Sequence, residues 1–206
     1  MDQELRVFAV DDDPLVLRAL ERTLRWHTIA VEGFTSPSSF LQRLPYDGLA
    51  CLLLDLQMPG LTGLEVQNAI SRRGMSMPVV FLSAWGDVPS TARAMREGAI
   101  DFLVKPVEEE ALLEALERAR VRAVALRERL RIARDAEQRL GRLTVREREV
   151  CDLVAAGLLN KQIASTLSMS EKTVKVHRGR VTRKLGVDSV AALVRLLFNR
   201  SASPPS

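Results

Sequence analysis

Cysteine is scarce in this chain of 206 residues: there are two, Cys51 and Cys151, each inside an apolar run and far apart in sequence. That count argues against a disulfide framework or a cysteine-based zinc site, and both residues read as buried small hydrophobes. A basic segment followed by an apolar core, the mark of a signal peptide, is missing from the start, Met1-Asp2-Gln3-Glu4. No apolar stretch approaches the length of a membrane span. These absences lead to the expectation of a soluble cytoplasmic protein. Internal repeats are absent too. Glycine and proline are missing from Glu108 to Leu140, a run of Ala, Leu, Arg and Glu that predicts one long helix.

What is present is unevenly distributed. Residues 1–107 carry 10 Lys and Arg against 13 Asp and Glu, residues 108–140 carry 8 against 8, and residues 141–206 carry 12 against 5. A concentrated positive charge in the last third is the sign expected of a phosphate-backbone binder, although a solvated basic surface gives the same count. The length allows two small domains, each with its own core.

From Arg6 to Val104 short apolar runs alternate with amphipathic stretches, the pattern of an α/β doubly wound parallel sheet. The spacing predicts strands at Arg6–Val10, Ile29–Gly33, Ala50–Leu54, Pro78–Leu82 and Phe102–Val104, with helices starting near Pro14, Ser36, Thr62 and Pro89. The long helix carries a thin 3,4-spaced seam, Leu116, Ala119, Ala123, Leu126, Leu130, Ala133, Glu137 and Leu140. A weak coiled coil and a linker helix docked on a neighbour are both compatible with it. Gly141 ends the run. Four short helices are expected beyond it: one opened by the capping box Thr144-Val145-Arg146-Glu147 and stopped by Gly157, one capped by Asn160 over Lys161–Leu167, one capped by Ser170 and running to Leu185 before Gly186, and one from Val190 to Phe198 opened by Ser189. The Ser/Pro tail, Ser201 to Ser206, is expected to be disordered.

Asp11, Asp12 and Asp13 follow the first strand and Asp55 the third. In a five-stranded sheet of order 2-1-3-4-5, ligands bind beyond the carboxyl ends of strands one and three, so these carboxylates converge. Crowded carboxylates call for a hard divalent cation, Mg²⁺ or Mn²⁺. Asp13, before Pro14, reads as a helix cap rather than a ligand. Ser83 ends the fourth strand and Lys105 the fifth, adding a hydroxyl and an ammonium at the same sheet edge. The set suits phosphoryl transfer: Asp55 as nucleophile, Asp11 and Asp12 on the cation, Lys105 and Ser83 on phosphoryl oxygens.

Val10-Asp11-Asp12-Asp13, Leu54-Asp55-Leu56-Gln57-Met58-Pro59-Gly60 and Phe102-Leu103-Val104-Lys105-Pro106 resemble the signature blocks of the receiver family of two-component systems, a flavodoxin/CheY-like fold, over about residues 4–120. The resemblance implies that Asp55 accepts a phosphoryl group from a sensor histidine kinase. It also implies that Asp11, Asp12, Asp55 and the backbone carbonyl of Gln57 surround the cation, that Lys105 pairs with the phosphoryl group, and that Ser83 and Phe102 form the switch. Ser83-Ala84-Trp85-Gly86-Asp87-Val88-Pro89, then Arg93-Ala94-Met95 and Gly98-Ala99, resemble the FixJ-like branch.

Lys161–Leu167 and Glu171–Leu185, joined by Ser168-Met169-Ser170, have the short polar turn of a helix-turn-helix. On the second helix Val174, Val181 and Leu185 form a core stripe, which turns Lys172, Lys175 and Arg178 outward to the major groove and leaves Arg183 and Lys184 for the DNA backbone. Leu143-Thr144-Val145-Arg146-Glu147-Arg148-Glu149-Val150, Asn160-Lys161-Gln162-Ile163-Ala164 and Lys172-Thr173-Val174-Lys175-Val176-His177 resemble the LuxR/NarL-type output domain, over residues 140–200. That resemblance implies base contacts by Lys175 and Val176 and phosphate-proximal positions for Lys172 and Thr173. Gly179 brings no side chain where that family is often polar. His177, with no second ligand near, reads as a packing or phosphate-contacting residue.

The expected organisation is thus a receiver over residues 1–120, its last helix extended as a linker over 108–140, an all-α output domain over 141–200 and a tail over 201–206. The expected partners are a histidine kinase, promoter double-stranded DNA, RNA polymerase and, when phosphorylated, a second copy of the chain; no membrane is expected. An aspartate-nucleophile phosphatase is the enzyme alternative, but Asp11-Asp12-Asp13-Pro14 lacks that class's glycine and no cap insertion exists. A vestigial receiver would have lost Asp55 or Lys105, and both are present. The expected chemistry is therefore the chain's own phosphorylation and slow autodephosphorylation, not turnover of a substrate.

Overall fold

A computed structural model of the chain describes residues 4–84, 96 and 98–201. It divides into two compact units, the division falling between Arg127 and Glu128. In the first, β1 (Arg6–Val10), β2 (Ala30–Phe34), β3 (Ala50–Asp55), β4 (Val79–Ser83) and β5 (Asp101–Val104) form a parallel sheet in the order β2-β1-β3-β4-β5. The chain steps outward from β1 to β2 and returns to β3 on the other side, so the expected reversal of strand order lies between β1 and β3.

Alternation along each strand builds two cores. Val7 and Ala9 join Leu17, Leu20, Leu24 and Leu53 on one face, while Phe8 and Val10 join Phe40, Leu52, Leu54 and Phe81 on the other. Burial on both faces is why the strands read as continuous apolar runs. The helices α1 (Pro14–Trp26), α2 (Pro37–Arg43) and α3 (Gly63–Arg72) begin where the caps predict. Asp13 Oδ1 accepts from the Leu15 amide at 2.8 Å, Ser36 Oγ from the Ser39 amide at 3.3 Å, and Thr62 closes a capping box with Glu65. The helix expected near Pro89, with Trp85 and Arg93-Ala94-Met95, lies outside the described residues.

The β2 boundary differs by one residue from its expected place. Ile29 spends its amide on Leu24 O (3.0 Å), closing the last turn of α1 around Thr28, which takes a left-handed φ of 56°. Such a closure normally uses glycine, so the pattern gave no warning that Ile29 belonged to the turn.

Helix α4 (Glu109–Leu140) crosses the division between the units. Its Leu112, Ala115, Leu116, Ala119 and Ala123 complete the first core, and its Ala136 and Leu140 belong to the core of the second unit. Along the expected seam Leu126 and Leu130 are half-buried, and Glu137 is exposed while its neighbour Ala136 is buried.

The second unit adds α5 (Val145–Ala155), α6 (Asn160–Thr166), α7 (Glu171–Leu185) and α8 (Val190–Ser201) around Val150, Cys151, Ile163, Val174, Val181, Leu185 and Leu193. Gly157 (φ 83°) and Gly186 (φ 64°) adopt the left-handed conformation that stops α5 and α7. Two expectations are corrected. Asn160 is the first helical residue of α6 and not its cap; Leu159 occupies the cap position and its amide is satisfied by Gln162 Oε1 at 2.8 Å. The last helix continues past Phe198 to Ser201; residues 202–206 lie outside the described set.

Both cysteines are fully buried, and burial pushes the Cys51 thiol up to about 12 and the Cys151 thiol up to about 11. They are packing residues without thiolate chemistry. No helix among the described residues is long and apolar enough to cross a membrane.

Candidate functional site

At the carboxyl edge of the sheet the chain leaves β1 through Asp11 and Asp12, and Asp55 is the last residue of β3. Parallel pairing of β1 with β3 sets Val10 beside Leu54, so the following aspartates share one edge. Asp11 is fully buried, Asp55 is 5% exposed, and Asp12 faces outward. Each offers a carboxylate oxygen within 4.8 Å of the others'. Asp11 Oδ1 also accepts from the Asp13 amide at 3.0 Å, which fixes its rotamer.

Lys105 follows β5, and its amide donates to Ser83 O at 2.8 Å. Its ammonium lies 2.6 Å from Asp11 Oδ2 and 3.1 Å from Asp55 Oδ1. Burial works against the Lys105 charge, but hydrogen bonding and Coulomb attraction from Asp11 and Asp55 outweigh it, and its pKa is raised. For Asp55, burial is the largest influence and raises the carboxyl; Asp11 and Asp12 add repulsion, and Lys105 opposes them without cancelling them. With all three carboxylates ionised, one ammonium leaves two negative charges in a set of oxygen donors. That donor set fits a hard dication such as Mg²⁺.

The structure thus brings Asp11, Asp12, Asp55 and Lys105 together. Ser83, 2% exposed, sits on the same edge, its hydroxyl donating to Ala84 O at 3.0 Å. Phe102, on β5 beside Phe81, is half-buried against the second core cluster. Gln57 is exposed, two residues beyond Asp55. Asp13 caps α1, as expected.

Sequence reading passed over Gly63. A Cβ there would stand 2.5 Å from the Asp55 carbonyl oxygen, 3.0 Å from the Phe81 ring and 3.2 Å from Leu56 Cα. Its own amide donates to Leu56 O at 3.0 Å, so α3 starts hard against the end of β3. Gly63→Ala is expected to destabilise the first unit by about 2–3 kcal/mol and displace the Asp55 backbone, because the obstacle is backbone and cannot rotate away. Urea denaturation of the variant checks this; a midpoint equal to the wild type's would contradict it. The only sequence signal was a glycine directly after a helix cap.

In the second unit α6 and α7 are joined through Leu167, Ser168 and Met169, with Ser168 at φ 51° and Ser170 Oγ accepting from the Thr173 amide at 3.1 Å. Val174, Val181 and Leu185 are buried, as the stripe predicted. Lys172, Thr173, Lys175, Val176, Arg180 and Arg183 are exposed. Lys172, Lys175, Arg180 and Arg183 have no ion-pair partner among the described residues. His177 is half-buried, with a buried Nδ1 that lacks a hydrogen-bond partner.

Two of the residues expected to contact DNA, Arg178 and Lys184, also bond within the domain. Arg178 is half-buried, its Nη1 donating to Asn160 Oδ1 at 2.7 Å. Lys184 donates to Glu147 Oε2 at 2.6 Å and to Arg142 O at 3.1 Å. Glu147 is 3% exposed and also accepts from the Thr144 amide at 2.9 Å. The Lys184 hydrogen bond, with the Thr144 amide second, brings the Glu147 carboxyl down to about 2 from 4.5. A depressed carboxyl contributes stability that is complete above pH 4.5 and disappears as pH falls towards 2. Wild type is therefore expected to lose about 2 kcal/mol more than Glu147→Gln across that window, after discounting for the partial exposure of Lys184. Calorimetric melts at stepped pH check it, and parallel acid profiles for the two proteins would refute it.

A sheet with buried acids and a lysine at its switch point, followed by a helix-turn-helix with an outward basic face, defines a two-domain signalling regulator. Residues 7–117 match the response regulator receiver domain family and residues 142–197 match the luxR family of bacterial regulatory proteins, and the chain belongs to the response regulators with a LuxR-type DNA-binding domain. It is 40% identical to Nodulation protein W of Bradyrhizobium diazoefficiens over 190 residues, covering 92% of this chain and 84% of that one. With the transcriptional regulatory protein FixJ of Rhizobium meliloti it shares 37% identity over 198 residues, 96% and 97% of the two chains. The structure of the response regulator StyR superposes with a TM-score of 0.78 at 42% identity, covering 95% of this chain and 98% of that one. The expected FixJ-like relationship and the expected fold class both hold.

Proposed function

We propose that Asp55 is the phosphoacceptor of this response regulator and that α7 reads promoter DNA. The observation that carries the first part is the Lys105 ammonium placed between Asp11 and Asp55. A carboxylate oxygen of Asp55 attacks the phosphorus of a phosphohistidine on a sensor kinase; the P–O bond forms as the P–N bond breaks, giving an acyl phosphate and a free imidazole. Asp11, Asp12, Asp55 and the Gln57 carbonyl would hold Mg²⁺ or Mn²⁺, which supplies charge neutralisation at the phosphoryl oxygens. Lys105 exchanges its contact with Asp55 for a phosphoryl oxygen, and Ser83 turns from Ala84 O to donate to another. Phe102, beside Phe81 and half-buried, follows Ser83 inward. Beyond its own phosphorylation and slow autodephosphorylation the chain turns over no substrate.

Lys175 and Val176 face base edges, where an exposed valine suits a thymine methyl, and Lys172, Thr173, Arg178 and Arg183 lie towards the phosphates. Lys184 is assigned to its ion pair with Glu147 rather than to DNA. The phosphorylated chain acts in the cytoplasm as a dimer at promoters engaged by RNA polymerase.

The test is intact mass after incubation with Mg²⁺ and acetyl phosphate. One added phosphoryl group on the wild type supports the reading. No adduct with acetyl phosphate or with a cognate kinase would overturn it and leave DNA binding as the remaining activity.

A further inference from the structure

Two half-buried cations of helix α7 are held in different ways. Lys184 meets a carboxylate, Glu147, at 2.6 Å. Arg178, half-buried, meets the neutral amide oxygen of Asn160 at 2.7 Å, and no carboxylate pairs with it among the described residues. A partly desolvated guanidinium without a counter-charge is costly to hold, and a neutral acceptor fixes its direction without cancelling its charge. Arg178 also lies one turn along α7 from Lys175, on the same side of the helix. It therefore sits at the edge of the reading face as an aimed, uncompensated cation with further N–H donors unspent.

We propose that Asn160 is a positioning residue that holds the Arg178 guanidinium ready for one DNA phosphate, so that this pair, split between the two helices of the helix-turn-helix, sets the register of α7 on the duplex. The inference rests on the reading of α7 as the DNA-binding helix and assigns a task to Asn160, whose expected capping role the structure removed. A phosphate arriving at Arg178 supplies the missing negative charge, and the Asn160 bond keeps the planar fork from having to search for it.

The test uses the full chain and a mixed-sequence DNA duplex, since a phosphate contact is independent of sequence. Arg178→Ala should lower affinity about tenfold and reduce the slope of log K against log salt by about 0.9, the value for one phosphate. Asn160→Ala should weaken binding several-fold alone and add nothing in the Arg178→Ala background. Asn160→Asp is the discriminating variant. Its carboxylate should neutralise Arg178, raising the melting temperature while lowering DNA affinity by about tenfold or more. A purely structural Asn160–Arg178 bond would instead let Asn160→Asp bind DNA as well as wild type and leave the salt slope of Arg178→Ala unchanged, and either result overturns the proposal. Lys175→Ala serves as the control for the underlying reading: full promoter affinity in that variant would show that α7 does not read DNA, whereas its loss together with a normal Asn160→Asp would refute the Asn160 assignment alone.

Discussion

Asp55→Asn is expected to abolish the phosphoryl adduct and, in Mg²⁺-free buffer, to raise the melting temperature of the first unit. The first outcome follows from chemistry, since an amide oxygen does not displace a phosphoryl leaving group as a carboxylate does. The second follows from charge. Asp11, Asp12 and Asp55 place carboxylate oxygens within 4.8 Å of one another, and Asp55 is 5% exposed. One ammonium, Lys105, serves them, and it stays paired with Asp11 at 2.6 Å when Asp55 is neutralised. Burial foremost, and repulsion from Asp11 and Asp12 after it, raise the Asp55 carboxyl despite Lys105. A raised carboxyl pKa means that the ionised form is held less well in the folded state than in the unfolded one, so above that pKa the site subtracts from stability. Removing the charge should therefore return stability and raise the melting temperature. Saturating Mg²⁺ should stabilise wild type more than the variant, because a ligand set that loses a carboxylate binds the ion less tightly. Intact mass and paired thermal melts with and without Mg²⁺ read all three effects. A variant that melts below wild type without metal would show that Asp55 is chiefly a structural partner of Lys105.

The site was legible because its residues follow the strands that carry them. Asp11, Asp55 and Lys105 stand within one residue of strand ends, and once the strand order is that of a doubly wound sheet their convergence follows from the backbone alone. The cap of α1, the capping boxes at Thr62 and Thr144, and the glycine stop after α7 were legible for a similar reason, each being settled within one or two helical turns. What stayed hidden depends on distant neighbours. Asn160 has the chemistry of a cap and sits where one is wanted, yet its acceptor is taken by Arg178, eighteen residues on. Lys184 looks like any basic residue on a basic helix until Glu147, thirty-seven residues earlier, is placed beside it. Gly63 shows its purpose only when the Asp55 carbonyl stands 2.5 Å from an added Cβ. On α4 the 3,4 pattern assigned a seam position to Glu137, but the neighbouring Ala136 is the buried residue, since a small apolar side chain enters a core that a carboxylate does not.

Lys175 and Lys184 are about two and a half turns apart on one helix, and their replacement should produce opposite results. Lys175 is exposed without an ion-pair partner among the described residues, so Lys175→Ala removes nothing that holds the domain together and should leave the stability within about 0.5 kcal/mol of wild type. Its cost falls on recognition: a base contact by a basic side chain is worth about 1–3 kcal/mol, so affinity for the promoter should fall roughly 10- to 100-fold. Lys184 contacts the 3%-exposed Glu147 carboxylate at 2.6 Å. Lys184→Met keeps most of the apolar stem but strands that carboxylate with Thr144 alone to hydrogen-bond it and no counter-charge, and should destabilise the second unit by about 2–3 kcal/mol, or roughly 10 °C or more. At a temperature where the variant is still folded, its DNA affinity should stay within about threefold of wild type, apart from the loss of one positive charge near the surface. Gel-shift titrations at constant salt, paired with circular dichroism melts, separate the two. A Lys184→Met protein as stable as wild type but impaired on DNA would return Lys184 to the binding surface and leave Glu147 as an ordinary cap. Undiminished promoter affinity in Lys175→Ala would remove the reading face from α7 altogether.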